Sequence, residues 1–155
     1  MAAPQVFTPE NRLSKVIGGL GASESRVLVS GAEDRVNLAS EAVRTFVRDE
    51  VRVILSFSGK SEENLHAESH RLEDSAVRVA EVAGAVGLEA IGEVARGMVA
   101  MMASLRTTGV LHIKALELHL SSLALINQGP GGQTADVEVI LTRLATMRHA
   151  IGIAE

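Results

Sequence analysis

Residues 61–105 read SEENLHAESHRLEDSAVRVAEVAGAVGLEAIGEVARGMVAMMASL. Leu65, Leu72, Ala76, Val79, Ala83 and Val86 recur at helical spacing, and after Gly87 the series restarts as Ile91, Val94, Met98, Met101/Met102 and Leu105. A 3.6-residue period puts each set on one face of a helix. A glycine with almost no further loop between the two sets predicts an antiparallel helical pair closed by a tight turn. Ser61 is a suitable cap for the first helix, which is expected to reach Val86, and Thr107-Thr108-Gly109 closes the second.

Outward from this pair, Val110 to Asn127 carries leucine or isoleucine at 111, 113, 116, 118, 120, 123, 125 and 126. A helix apolar on two faces has to be buried nearly all round, so it is expected at the centre of the fold or shared with another subunit. Residues 128–133 form a glycine-rich loop, Thr134 or Asp136 caps a last helix, and Val137, Ile140/Leu141, Leu144, Met147 and Ile151 form its stripe. On the other side, Ala32, Val36, Ala39, Val43, Phe46 and Val53/Ile54 define a long helix from Ser23 to Phe57. Glu50 alone interrupts its stripe, and Ser30-Gly31 is the point at which it could divide. The β-branched runs at 26–30 and 51–57 lie inside this longer series and read as helix rather than strand. The expected fold is all-α, an antiparallel four-helix bundle with an additional long N-terminal helix. Its parts are an arm with a short helix beginning at Thr8-Pro9-Glu10 (residues 1–22), the long helix and linker (23–60) and the bundle (61–155), in one domain overall.

Composition narrows the chemistry. With 155 residues, 46% of them apolar but only 2% aromatic, the core must be aliphatic, which disfavours stacking surfaces for single-stranded nucleic acid. Cysteine is absent, which removes thiol catalysis and Cys-ligated metal. A net charge of −4 with scattered basic residues offers no footprint for a phosphate backbone. No uncharged apolar run approaches the length of a membrane span, and the first twelve residues lack a signal-peptide pattern. The expectation is a cytoplasmic protein with neither nucleic acid nor membrane as partner, and no cofactor.

Ser58-Gly59-Lys60-Ser61 copies the end of a phosphate-binding loop, but Ile54 stands where that motif needs its first glycine. A linker with a serine cap is the reading kept. Glu63, His66, His70 and Glu73 share one helical face and contain a single Glu-x-x-His pair. Di-iron bundles use two such pairs, so a solvated face is expected and no metal site is assigned. A helical metal or small-ligand site using His66 and His70 is an alternative. His112 and His119 are expected to be partly buried packing residues, His149 to complement a helix C-terminus, and the methionines at 98, 101 and 102 to fill core. No serine sits on a glycine-flanked elbow, so Ser-His-Asp catalysis has no support.

The segment from Arg78 to Met102, RVAEVAGAVGLEAIGEVARGMVAMM, resembles the helical hairpin of histidine phosphotransfer domains, where a His-x-x-Lys-Gly acceptor pattern runs through small residues to a turn glycine and a second helix. Val110 to Leu125 is similar to that family's third bundle helix. Residues 12–19 with Asn37-Leu38 are similar to the amino-terminal arm of the CheE group of small alphaproteobacterial chemotaxis proteins. With Gly87 as turn glycine, the resemblance puts the acceptor histidine at Val77, the lysine at Ala80 and the following glycine at Glu81. Valine has no nitrogen to phosphorylate. The implied protein is a non-catalytic signal-transduction module that presents Glu73, Val77, Ala80, Glu81 and Gly84 to a response-regulator receiver or a histidine kinase. Glu73 and Glu81 are expected to repel a phosphoryl group there. His70, a heptad before Val77, is the possible phosphoacceptor of an alternative, active relay. The second apolar face at Leu111, Leu118 and Leu125 needs a cover, which the long helix of the same chain or of a homodimer partner would supply.

Overall fold

The structure is a computed structural model and describes residues 22–129 and 135–153. The expected short helix from Thr8, the arm around it and the cap at Thr134 lie outside the described residues. The described chain is all-helical: α1 (Ala22–Leu55), α2 (Glu62–Ala67), α3 (Ser69–Val82), a 3₁₀ turn (Ala83–Val86), α4 (Glu89–Thr108), α5 (Ile113–Gln128) and α6 (Ala135–Ala150). No strand occurs among the described residues, and none of their helices is long and apolar enough to cross a membrane. Two units divide the chain at residues 39 and 40, inside α1. α1 runs through Ser30-Gly31 as one helix.

In the unit from Ser40 onward, Val47, Val51, Ile54 and Phe57 are buried in one cluster with Leu72, Ala76 and Val79 of α3, Val94, Met98 and Met102 of α4, Leu116, Leu120 and Leu123 of α5, and Leu144 of α6. α4 touches α3, α5 and α6 and is the central helix. The expected central place for α5 is therefore taken by α4, and the long helix of the same chain does not cover the second face of α5, whose Leu118 and Leu125 are exposed and whose neighbour Leu111 is only half-buried. The reason is side-chain size. Gly92, Ala95 and Gly97 are buried in α4, and small residues let neighbouring backbones approach on more than one side, whereas a leucine-rich helix fills one contact and leaves the other leucines outside.

The helix expected from Ser61 to Val86 is three pieces. Ser61 caps α2 as expected, its hydroxyl accepting from Asn64 N at 3.4 Å. The chain then breaks at Glu68 (φ −105°, ψ 12°), where Ser69 Oγ donates to the His66 carbonyl at 2.9 Å. Lys60 Nζ donates to Glu68 Oε1 at 2.6 Å and sits 4.4 Å above the Phe57 ring. That contact holds the Glu68 carboxyl below its ordinary pKa, Lys60 being the main cause. The lysine of the apparent phosphate loop is thus a structural clamp across the linker. At the other end α3 tightens into the 3₁₀ turn. Gly87 (φ 76°) reverses the chain while Leu88 N–H reaches back to the Ala83 carbonyl at 3.0 Å. Left-handed backbone is open to glycine at little cost, so the turn glycine stands where the pattern put it.

Glu50, the one break in the α1 stripe, is 12% exposed and its Oε1 accepts from Arg78 Nη1 of α3 at 2.8 Å, while Arg78 is half in solvent. Removing the arginine strands a mostly buried carboxylate, whereas removing the carboxylate frees an arginine that water can solvate. Arg78→Ala is therefore expected to cost about 1–3 kcal/mol and Glu50→Leu to be close to neutral or stabilising. Urea titrations of both variants check this order. Equal losses would mean that the pair is worth the same from either side.

Candidate functional site

The residues singled out at the helical hairpin fall along one flank of α3 and its continuation. Positions 72, 75, 76 and 79 of α3 point into the core. One step round the helix, Glu73, Val77 and Ala80 are half-buried and Glu81 is exposed; Gly84 is exposed on the 3₁₀ turn. A Cβ at Gly84 would meet nothing within 4 Å, so this end of the flank is open and low.

Two arginines of α4 border the flank. Arg96 Nη1 donates to the Ala80 carbonyl at 3.2 Å and its Nη2 donates to Glu93 Oε1 at 2.5 Å. Arg106 Nη1 donates to Glu73 Oε2. Neither arginine was singled out from the sequence. The Glu93–Arg96 spacing gives a local hint, but the reach from α4 to α3 has no sequence signal. Their presence corrects the electrostatics expected at Val77: Glu73 is an ion-paired group, and Glu81 is the carboxylate of the flank that makes no ion pair among the described residues.

His66 and His70 do not share a helix, because the break at Glu68 separates α2 from α3. Both are exposed and both line a shallow cleft of about 290 Å³ with Ser69, Glu73, Met102, Leu105, Arg106 and Gly109. Glu63 is exposed, and no group of three His, Asp or Glu residues able to hold a metal ion occurs among the described residues. A larger cavity, about 600 Å³, lies elsewhere, at the Val86-Gly87-Leu88 turn beside Arg44 and Arg48. Of the α3 flank, Glu73 lines the histidine cleft.

A second polar constellation lies inside the core. His119 of α5 is fully buried, with Nδ1 2.8 Å from the Ala115 carbonyl and Nε2 3.2 Å from Arg148 Nη1 of α6. A carbonyl only accepts and a guanidinium only donates, so Nδ1 carries the proton and Nε2 receives the bond from Arg148. Burial above all, then the Arg148 charge, push the imidazole pKa down to about 4, against the opposing pull of the Ala115 carbonyl. Gly97 makes the room: a Cβ there would lie 2.5 Å from Arg148 Nη1 and 2.7 Å from His119 Nε2. His119 is thus a packing residue, as expected, and more completely buried than expected. His112 is half-buried at the start of α5, and His149 is exposed in the last turn of α6. Both side chains of the pair are buried. The pair ties α5 to α6 across α4.

No family profile, curated protein or solved structure matches the chain significantly.

Proposed function

We propose that this protein is a non-catalytic docking module of phosphotransfer-domain type, an antiparallel four-helix bundle formed by residues 61–153 with α1 as an additional long N-terminal helix. It binds a response-regulator receiver or a histidine kinase through Glu73, Val77, Ala80, Glu81 and Gly84. The observation that carries this reading is the composition of the flank: valine and alanine at its centre, glycine at its end, no imidazole among them, and arginines on its border. Small side chains leave a helix open to close approach by another helix, and an apolar patch with a polar rim is the general anatomy of a protein interface. Chemotaxis is the process the resemblance to the CheE group suggests.

The test uses purified receiver domains and kinases of the source organism. One of them is expected to bind saturably, Val77→Arg to weaken that binding at least about tenfold, or 1.4 kcal/mol, and His70→Gln to leave it unchanged. Incubation with kinase and ATP is expected to leave the chain unlabelled.

One observation favours a second reading. Exposed His70 shares its cleft with Arg106, and a guanidinium is suited to a phosphoryl group. In an active relay His70 would be the phosphoacceptor, and labelling lost in His70→Gln would select it.

A further inference from the structure

We propose that the cavity between α1, the hairpin turn, α5 and α6 is a binding site for an aliphatic monocarboxylate, with the chain in the cavity and the carboxylate at Arg48. None of the residues lining it belongs to the docking flank of α3, and the inference stands or falls independently of that reading.

The cavity measures about 600 Å³, and all of its described walls belong to the unit from Ser40 onward. Val47 comes from α1, Leu88 and Ile91 from the turn and the start of α4, Ile126 from the end of α5 and Leu141 from α6. A cavity of this size, with apolar walls and a few polar groups at its edge, is the usual form of a small-molecule site. The walls also limit the chemistry of the occupant. The described lining holds no aromatic ring and no hydroxyl, so it offers nothing to stack on a base or to bond a sugar. Aliphatic walls suit an aliphatic chain, whose burial is favourable in proportion to the area removed from water.

Charge selects the head group. The charged side chains of the lining are Arg44, Arg48, Glu89, Glu93 and Glu138. Arg44 Nη1 pairs with Glu41 Oε1 at 3.3 Å, and its Nε donates to the Val86 carbonyl at 3.3 Å. Both carboxylate oxygens of Glu93 accept from Arg96. Glu89 stands in the first turn of α4, whose N-cap makes no side-chain bond, and Glu138 in the first turn of α6. A carboxylate at such a place is stabilised by the positive end of its helix. Arg48 is left over: it is exposed and makes no ion pair among the described residues. It lies two turns inside the end of α1, beyond the reach of that helix's negative end. Arg44 precedes it by one turn on the same face, a spacing at which like charges repel. A carboxylate at this edge removes the repulsion and is taken by a guanidinium through two parallel bonds. An ammonium head would add to the repulsion.

Calorimetric titration of the full chain with octanoate tests this. The comparison ligands are octylammonium, which has the same chain and the opposite charge, and acetate, which has the head without the chain. Octanoate is expected to bind saturably, octylammonium at least about tenfold more weakly, and acetate without measurable heat. Ala90 is a half-buried lining residue, and Ala90→Leu fills the cavity with no change of charge; it is expected to abolish octanoate binding. Arg48→Glu, on the exposed edge, is expected to weaken octanoate at least about tenfold and to turn the preference toward octylammonium. Denaturant midpoints show whether both variants are folded. Absence of saturable octanoate binding would overturn the proposal, as would octylammonium binding as tightly as octanoate. Octanoate binding indifferent to Ala90→Leu would place the chain elsewhere, and binding indifferent to Arg48→Glu would remove the head group from Arg48; either result overturns it equally.

Discussion

Gly97→Ala is expected to destabilise the protein by about 2–4 kcal/mol, even though alanine is the better helix former by about 1 kcal/mol. The added carbon would stand 2.5 Å from Arg148 Nη1, 2.7 Å from His119 Nε2 and 3.0 Å from His119 Cδ2. The guanidinium end can swing aside, but the imidazole is held between Ala115 and the core. Relief therefore breaks the bond from Arg148 to His119, and two buried polar groups lose a partner. Gly31→Ala, in open space on α1, is the control: there only helix propensity acts, and helical content is expected to rise. Denaturant midpoints measure the first variant and circular dichroism the second. A neutral or stabilised Gly97→Ala would show that the pocket between α4, α5 and α6 is looser than these distances.

The second large effect is on pH dependence. His119 titrates near its ordinary 6.5 in the unfolded chain and at about 4 in the folded one. Between those values the unfolded chain takes up a proton that the folded chain refuses. Stability is therefore full above about pH 6.5 and falls as the pH drops toward 4. The loss over that window is about 3 kcal/mol, from roughly 2.5 pKa units at 1.36 kcal/mol each. Unfolding midpoints measured from neutral to acid should show this slope, and His119→Gln, which keeps an acceptor for Arg148 but cannot ionise, should lose it. An unchanged slope in that variant would assign the acid sensitivity to carboxylates instead.

Local pattern made the helices legible. The caps at Ser61, Gly87 and Gly109 and the stripes of α3, α4 and α6 are set by neighbours three or four residues away, which a sequence displays directly. The stripe expected for α1 is corrected, since Ala32, Val36, Ala39 and Phe46 are exposed and Val47, Val51, Ile54 and Phe57 form the buried face. What stayed hidden depends on distant partners. Glu50 looks like a defect in α1 until Arg78, 28 residues on, appears beside it. His119 and Arg148 are 29 residues apart, and Gly97 reads as one more small residue of α4. The break at Glu68 is invisible because Leu65 and Leu72, a heptad apart, keep their register across it. The central place of α4 was missed for a related reason: leucine content marks how apolar a helix is, while closeness of approach depends on where it is small. At the candidate site the members of the α3 flank were legible as a face, but the bordering Arg96 and Arg106 were not.

The most direct test of the docking account is a calorimetric titration of the full chain with a purified receiver domain that binds it, repeated with Val77→Arg and His70→Gln. The account predicts saturable binding, weakened at least about tenfold by Val77→Arg and untouched by His70→Gln, with denaturant midpoints confirming that both variants are folded. Binding that survives Val77→Arg while His70→Gln abolishes it would contradict the account and place the working surface at the histidine cleft.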